Sequence, residues 1–327
     1  QAYRNENSRL GFYESQYKAI EEIEDQFGEM QGVTYESYLI NLYNSVNELA
    51  KNPTSTVARS SLIQNATAFI EKSENVYKGL KDYQTTLNTQ VKNMVDSINK
   101  LGDKIYTLNK KISKIESTGI EDANDLRDER DAAIDELSKY IDITYYENDS
   151  KEVIISAEGI PFVTMGELAK MDTRVVEGTN LVIPTWPGYE RDVYDLSTEA
   201  SNVDETDKGE LKGLLIARGN MVVDYTVGPE APSSSDYDMS TADGRAAYQE
   251  AYNKYSKAQE YYNTYIEPSA ILSAMAGFDK LVNGIVEKIN NILCPEKSEV
   301  RNNPYMAPDG TEIQADIYTY NSVSQQV

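Results

Sequence analysis

The residues best suited to chemistry in this chain are carboxylates. The stretch NDLRDERDAAIDELSKY (124–140) sets acids and two arginines around threaded apolar residues. Such a run could hold a metal ion, supply a general acid and base, or form the wet face of a helix. Histidine is entirely absent, which removes the commonest general base, the usual zinc ligand and the neutral-pH switch. Catalysis would have to fall to carboxylates, Lys, Tyr or Ser. Cys294 is the only cysteine, so an intrachain disulfide and a zinc–thiolate site are excluded. With no His to activate it, Cys294 reads as a small buried apolar residue.

Phosphate loops, dinucleotide fingerprints, nucleophile elbows and HExxH helices are missing from the sequence. DYDMSTADG (236–244) has the look of a calcium loop. Its sixth position is Thr241, where glycine is needed for the turn, and its twelfth is Ala247, where a bidentate Glu is needed. No residue is assigned a catalytic, cofactor-binding or metal-binding role, and the protein is not expected to be an enzyme.

The elements around 124–140 explain its acids. Leu126, Ala133, Ile134, Leu137 and Ile141 form one apolar stripe at helical spacing. Asp122 is expected as the N-cap, with Asp125 three residues on favouring the helix dipole. Arg127–Asp131 and Asp131–Asp135 are i,i+4 neighbours, one attractive and one repulsive. The acids are therefore the solvated face and first turn of a short amphipathic helix.

Before it lies the strongest periodic signal. From Ile63 through Ala66, Ile70, Ser73, Tyr77, Leu80, Gln84 and Leu87, apolar or small residues recur alternately three and four apart. They continue as a seam of Val91, Met94, Ile98, Leu101, Ile105, Leu108, Ile112 and Ile115. A heptad held that long predicts one helix of about 90 Å. Asn52 and Pro53 are expected to open it and Gly119 to stop it. Its flanking positions are mostly Lys, Asn, Ser and Gly, which favours an antiparallel bundle over a parallel self-zipper. With the seam consumed inside the subunit, no long apolar stripe should stay exposed.

Upstream, residues 3–49 read as helical, first through Tyr13, Tyr17, Ile20, Ile23 and Phe27, then, after Gly28 and Gly32, through Tyr38, Leu42, Val46 and Leu49. From Ile141 the period changes to two. IDITYYE, KEVIISA and IPFVTM are separated by turns at Asn148–Ser150 and Glu158-Gly159, and RVVEG and NLVIPTW follow. Helix returns with GELKGLLIARGN (209–220). A Tyr-rich helix places Tyr248, Tyr252, Tyr255, Tyr262 and Ile266 on one side, and a last seam runs Leu272, Met275, Phe278, Leu281, Ile285, Ile289 and Ile292. Asp309-Gly310 suggests a hairpin.

The expected fold is mainly α with a β insertion: an elongated antiparallel helical bundle built from two chain halves, plus a small antiparallel β domain. Residues 1–141 would be the first half of the bundle and 142–208 the β domain. Residues 209–293 would be the returning half with its Tyr-rich insertion, and 294–327 the start of an incomplete segment. The seam's expected cover is residues 3–49 and the helix near 270–292. Residues 14–36 hold seven acids and one Lys, whereas 72–114 hold nine Lys and four acids. The two are expected to be neighbours, within a subunit or between subunits.

The chain has 327 residues and a net charge of −23, with a pI near 4.4. That balance argues against nucleic acid and anionic membranes as partners, and no apolar run approaches a membrane span. The 25 tyrosines against 5 phenylalanines hint at surfaces that are sometimes buried and sometimes wet. The first residue is Gln1, and the chain is expected to be a fragment.

FGE (27–29), NPTSTVARSSLIQNATAF (52–69), INKLGDKIYTLNKKI (98–112), NDLRDERDAAIDELSKYIDI (124–143), GELKGLLIAR (209–218) and FDKLVNGIVEKIN (278–290) occur in an order that resembles the family of the first hook-associated protein of the bacterial flagellum, the hook–filament junction protein. The resemblance covers most of residues 20–220 and resumes at 270–292. Its motif residues are Asn124, Asp125, Leu126, Arg130 and Asp131, following the asparagines Asn99 and Asn109. Ala123 stands where the family often has Pro, 245–267 looks like an insertion, and both terminal segments of the family are absent. The resemblance implies an extracellular structural protein without cofactors, exported by the flagellar secretion system and assembled as an axial ring between hook and filament. Its implied partners are its own copies, the hook protein and the adjacent junction protein, with a secretion chaperone at the missing C-terminus. The alternatives are a flagellin or other axial protein, and a secreted coiled-coil adhesin or binding module.

Overall fold

The computed structural model describes residues 2–27, 34–117, 122–197 and 200–293. Gly28, Gly32, Gly119, Cys294 and Asp309-Gly310 lie outside them. Among the described residues, seven α-helices and six strands follow in order: α1 (Ala2–Phe27), α2 (Tyr35–Lys51), α3 (Thr56–Glu116), α4 (Asn124–Tyr140), β1 (Ile143–Glu147), β2 (Val153–Ala157), β3 (Ile160–Val163), β4 (Asp172–Val175), β5 (Val182–Trp186), β6 (Arg191–Asp192), α5 (Glu210–Arg218), α6 (Ala242–Tyr265) and α7 (Ala270–Leu293). The fold is mainly α with small antiparallel sheets. It divides into two compact units. The larger holds residues 1–222 and 260–273, and the smaller holds 223–259 and 274 onward.

The larger unit is organised by α3, whose 61 residues make a rod of about 90 Å. Asn52 ends α2 rather than opening α3, because its N–H is used by the carbonyl of Glu48. The cap of α3 is Ser55, whose hydroxyl accepts from Ala58 N at 3.2 Å. α2 folds back antiparallel on the first half of α3, where Tyr35 packs on Phe69 and shares a hydrogen bond with Ser73. The second half of α3 is covered by α4, α5 and the two sheets.

Six of the eight expected seam residues point into the molecule: Val91, Ile98, Leu101, Ile105, Leu108 and Ile112 are buried. Met94 is only half-buried, and Val95 takes the inner place beside it. Ile115, at 37% exposure, and Ile63 are solvent-facing, with Leu62 buried in place of Ile63. A straight helix at 3.6 residues per turn drifts about 20° per heptad against a 3.5-residue repeat. Contact from both sides also widens the buried arc, so Asn88, Gly102 and Asn109 join it.

Both sheets are three-stranded and antiparallel, ordered β1-β2-β3 and β4-β5-β6. The β2–β3 hairpin closes between Ala157 and Ile160, with Glu158 and Gly159 both at positive φ (48° and 74°), the requirement of a tight two-residue turn. The strands have no core separate from the helices. Ile155, Phe162, Val182 and Trp186 share one cluster with Leu87–Ile105 of α3, Leu137 of α4 and Leu215 of α5. Gly102 is what permits this approach: a Cβ there would collide with Phe162 and Leu168.

The apolar pattern expected on α1 divides, with Ile23 inside and its tyrosines outside. Tyr13, Tyr17 and Ile20 are exposed, while Arg4, Ser8, Gly11, Phe12, Ser15, Ala19 and Ile23 are buried. The cause is close packing on α4 and α5. A Cβ on Gly213 would run into Ser15 and the Phe12 backbone, and one on Gly11 into Lys139, so the face of α1 that carries Ser8, Gly11, Ser15 and Ala19 is the one that enters. An apolar stripe thus stays outside, contrary to expectation.

In the smaller unit, Met275, Phe278, Val282 and Val286 of α7 are buried, whereas Leu281 and Ile292, both expected in the seam, are exposed. Asp279 accepts from Tyr225 N at 2.8 Å, and Lys280 pairs with Glu230 at 3.2 Å. On α6, Tyr248, Tyr252 and Tyr255 form a row of tilted ring contacts, which Tyr237 meets edge-on at Tyr248. No described residue of that helix is fully buried.

Candidate functional site

Three asparagines on the sheet side of α3 act as surrogate strand edges. Asn109 donates from Nδ2 to the carbonyl of Val153 at 2.8 Å, and its Oδ1 accepts from Val153 N at 3.0 Å. Asn99 does the same with both backbone groups of Met171, each at 2.9 Å. Asn88 donates to Asn180 O at 3.1 Å and accepts from Val182 N at 2.9 Å. A carboxamide carries a donor and an acceptor side by side, as a backbone strand does. The asparagines therefore satisfy backbone groups in or next to strands, and those of the buried Val153, Met171 and Val182 would otherwise be orphaned against an apolar helix, a state costing about 1–3 kcal/mol per group.

Two arginines complete the outer asparagines. Arg130 of α4 donates from Nη1 to Asn109 Oδ1 (3.1 Å) and Lys151 O (2.8 Å), and from Nη2 to Glu147 (2.7 Å). Arg218, the last residue of α5, donates from Nη1 to Asn88 Oδ1 (2.6 Å) and Val182 O (2.8 Å), and from Nε to Gly219 O (2.8 Å). Gln84 grips the chain beyond it through the carbonyls of Arg218 and Met221, at 3.0 and 3.1 Å. Arg130 has a carboxylate partner. Arg218 is fully buried with neutral acceptors, and burial draws its pKa down to about 10.

The family-motif residues divide accordingly. Arg130 is the buried centre of one clamp, and Leu126 packs on Leu108, Ile112 and Ala123. Asp131 turns outward and reaches Arg4 of α1 at 3.5 Å, beside the stronger Arg4–Asp135 contact at 2.6 Å. Asn124 and Asp125 stay exposed in the first turn of α4. Asp122 does not cap that helix. Glu116 accepts from Ala123 N at 3.0 Å and takes a two-pronged contact from Arg127 at 2.7 and 2.6 Å. Arg127 thus serves Glu116 and Glu147, not the expected Asp131, and it holds the Glu116 carboxyl down at about 2.

At the turn of β2 and β3, burial, reinforced by Asp142, pushes the half-buried Glu158 up to about 7. Its Oε1 accepts from Asp142 N at 3.2 Å. A trough of about 770 Å³ opens between α1, α3 and α5, lined by Lys18, Glu21, Glu22, Asp25, Asp82 and Glu210 among others. Among the described residues no three Cys, Asp or Glu gather as metal ligands, and no helix is long and apolar enough to cross a membrane. Between 14–36 and 72–114, the described residues form no ion pair. Asn99, Asn109 and Arg130 were visible in the sequence as motif residues. Asn88 and Arg218 were not singled out, although a polar residue in register with an apolar seam is the signal that marks Asn88.

The architecture has known counterparts. The solved flagellar hook junction protein FlgK of Burkholderia pseudomallei superposes with a TM-score of 0.53 at 17% identity, over 65% of this chain and 38% of that one; this likeness shows the fold alone. Flagellar hook-associated protein 1 of Bacillus subtilis (strain 168) is 28% identical over 204 residues, 62% of this chain. The chain spans 38% of that relative's length. The profile of the flagellar hook-associated protein FlgK helical domain matches residues 20–227, a range that holds all three asparagines and both arginines of the clamps. The chain belongs to the flagellar hook-associated protein FlgK helical-domain family.

Proposed function

We propose that this protein is a structural component of the bacterial flagellum that joins hook to filament as an assembled axial ring. One observation carries the reading: the family match over 20–227 coincides with the body in which Asn88, Asn99 and Asn109 lock both sheets onto α3. Such a body transmits load, because its strands are tied to the rod by paired hydrogen bonds as well as by apolar contact. Its partners in this reading are further copies of itself, the hook protein and the neighbouring junction protein. It works outside the cell after export by the flagellar secretion system, with a chaperone engaging a C-terminal segment. No catalytic step is assigned to it.

The test is deletion of the gene in its own bacterium and complementation with the full-length protein. Hooks without attached filaments and loss of swimming are expected, both restored by the wild-type gene. Normal filaments and normal swimming in the deletion strain would overturn the reading. A second, local role is favoured by the tyrosine row of Tyr237, Tyr248, Tyr252 and Tyr255, which lies outside the matched residues. In that reading the segment is a surface binding module carried by the same protein.

A further inference from the structure

The outer face of α1 carries Tyr3, Leu10, Tyr13, Tyr17 and Ile20 at exposures of 68, 52, 52, 68 and 48%. Their spacing of seven, three, four and three residues places them on one side of the helix, opposite the buried set of Arg4, Ser8, Phe12, Ser15 and Ala19. With roughly 200 Å² per aromatic side chain, this stripe exposes on the order of 500 Å², most of the ~800 Å² each partner contributes to a standard interface. At that size it is comparable to the largest apolar patch of a typical monomer, which is often a functional surface. Beside the stripe lie Glu21 and Glu24, both exposed and without an ion pair among the described residues.

α3 carries a surface of the opposite sign. Lys92, Lys100, Lys111 and Lys114 are exposed on the side away from its core arc, with the exposed Thr85, Thr89 and Thr107 on the same side. None of these lysines has an ion-pair partner among the described residues, whereas Lys78, Lys104 and Lys110 are paired within the subunit. The stripe lies opposite the buried set of α1 and the lysine side lies opposite the buried arc of α3, and among the described residues no ion pair joins Glu21 or Glu24 to these lysines within one copy. We infer that the tyrosine stripe of α1 docks on the lysine face of α3 in a second copy of this chain. Lysine stems supply apolar cover for the rings, their ammonium groups sit over ring faces, and the acids beside the stripe meet the free lysines. Because the two patches differ, the contact is heterologous and propagates from copy to copy, the kind that closes a ring or extends a helix.

This inference rests on the proposed function, whose own test is the deletion strain. The contact is tested on the protein itself, with a photoreactive benzophenone amino acid in place of Tyr17 and a concentrated mixture of isotope-labelled and unlabelled chains. Crosslinks joining labelled to unlabelled chains at residues 85–114 are expected. The double variant Glu21→Lys, Glu24→Lys should lower their yield several-fold, and a partner bearing Lys92→Glu and Lys100→Glu should restore it. Intermolecular crosslinks scattered over the surface, or a yield indifferent to both charge reversals, would overturn the inference. If the deletion strain swims normally while the crosslinks form as described, the flagellar reading fails and this contact stands.

Discussion

The two outer clamps on α3 use the same parts and differ in one charge. At Asn109 the arginine arrives from α4 with Glu147 as its counter-ion. At Asn88 it arrives from α5 with only an amide oxygen and backbone carbonyls. Burying an ion is costly, and the cost is recovered when an opposite charge and hydrogen bonds meet it. The first clamp is thus an ion pair built around a strand contact. The second is a buried cation held by dipoles, and it depends far more on its asparagine.

Removing that asparagine should have the largest effect. Asn88→Ala leaves Val182 N, Asn180 O and Arg218 without their shared partner, so we expect a loss of about 3–5 kcal/mol. Asn109→Ala should cost less, about 2–3 kcal/mol, because Arg130 keeps Glu147. Urea unfolding of both variants measures the difference. Equal losses would mean that the counter-ion is irrelevant. The arginines should rank the other way. Arg130→Met strips Glu147 of one of its two cations and should cost about 2 kcal/mol, whereas Arg218→Met also removes a desolvated charge and should cost about 1 kcal/mol or less.

The pH dependence gives a smaller effect of two signs. Glu158 has its folded pKa raised from 4.5 to about 7, so the folded state holds the extra proton. The associated stability is present below the unfolded value and is lost as pH rises through about 7. Glu158→Gln should therefore gain stability relative to wild type at pH 8 and lose that advantage at pH 4. Glu116 is lowered from 4.5 to about 2, so its contribution is present above 4.5 and disappears as pH falls through about 2. Arg127→Gln should flatten that acid limb in a pH series of thermal midpoints.

The smallest expected effect is a control on the same helix as Arg130. Asp128 is exposed on the outer face of α4, and Asp128→Asn should change stability by no more than about 0.5 kcal/mol. A loss comparable to Asn109→Ala, seen in the same urea titration, would give the acids of 124–140 a part beyond solvation.

Much of this molecule was legible before folding. The period of 84–112 specified one long helix, the period-two runs after Ile141 specified strands, and the Glu158-Gly159 pair specified a tight turn. Buried apolar spacing and turn chemistry are local, so the sequence carries them directly. Arg130 could be named from its motif, yet its partners, 17–21 residues distant along the chain, could not be read from spacing. Arg218 and Asn88 lie 130 residues apart, and no local pattern joins them.

Orientation was the other limit. On α1 the tyrosine pattern was correctly helical, but the side with most apolar residues is the side left outside. A helix face is chosen by what its neighbours can accommodate, and α1 meets α4 and α5 at closest range through Gly11 against Lys139 and Glu210 and through Phe12 and Ser15 against Gly213. The sequence by itself determined which segments are helix or strand, how long they run and which residues are polar within an apolar seam. Tertiary structure alone decided which face of α1 is buried, which buried polar groups meet, and which arginine keeps a counter-charge. Those outcomes depend on distances between segments remote in the chain, and such distances are set only when the whole core closes.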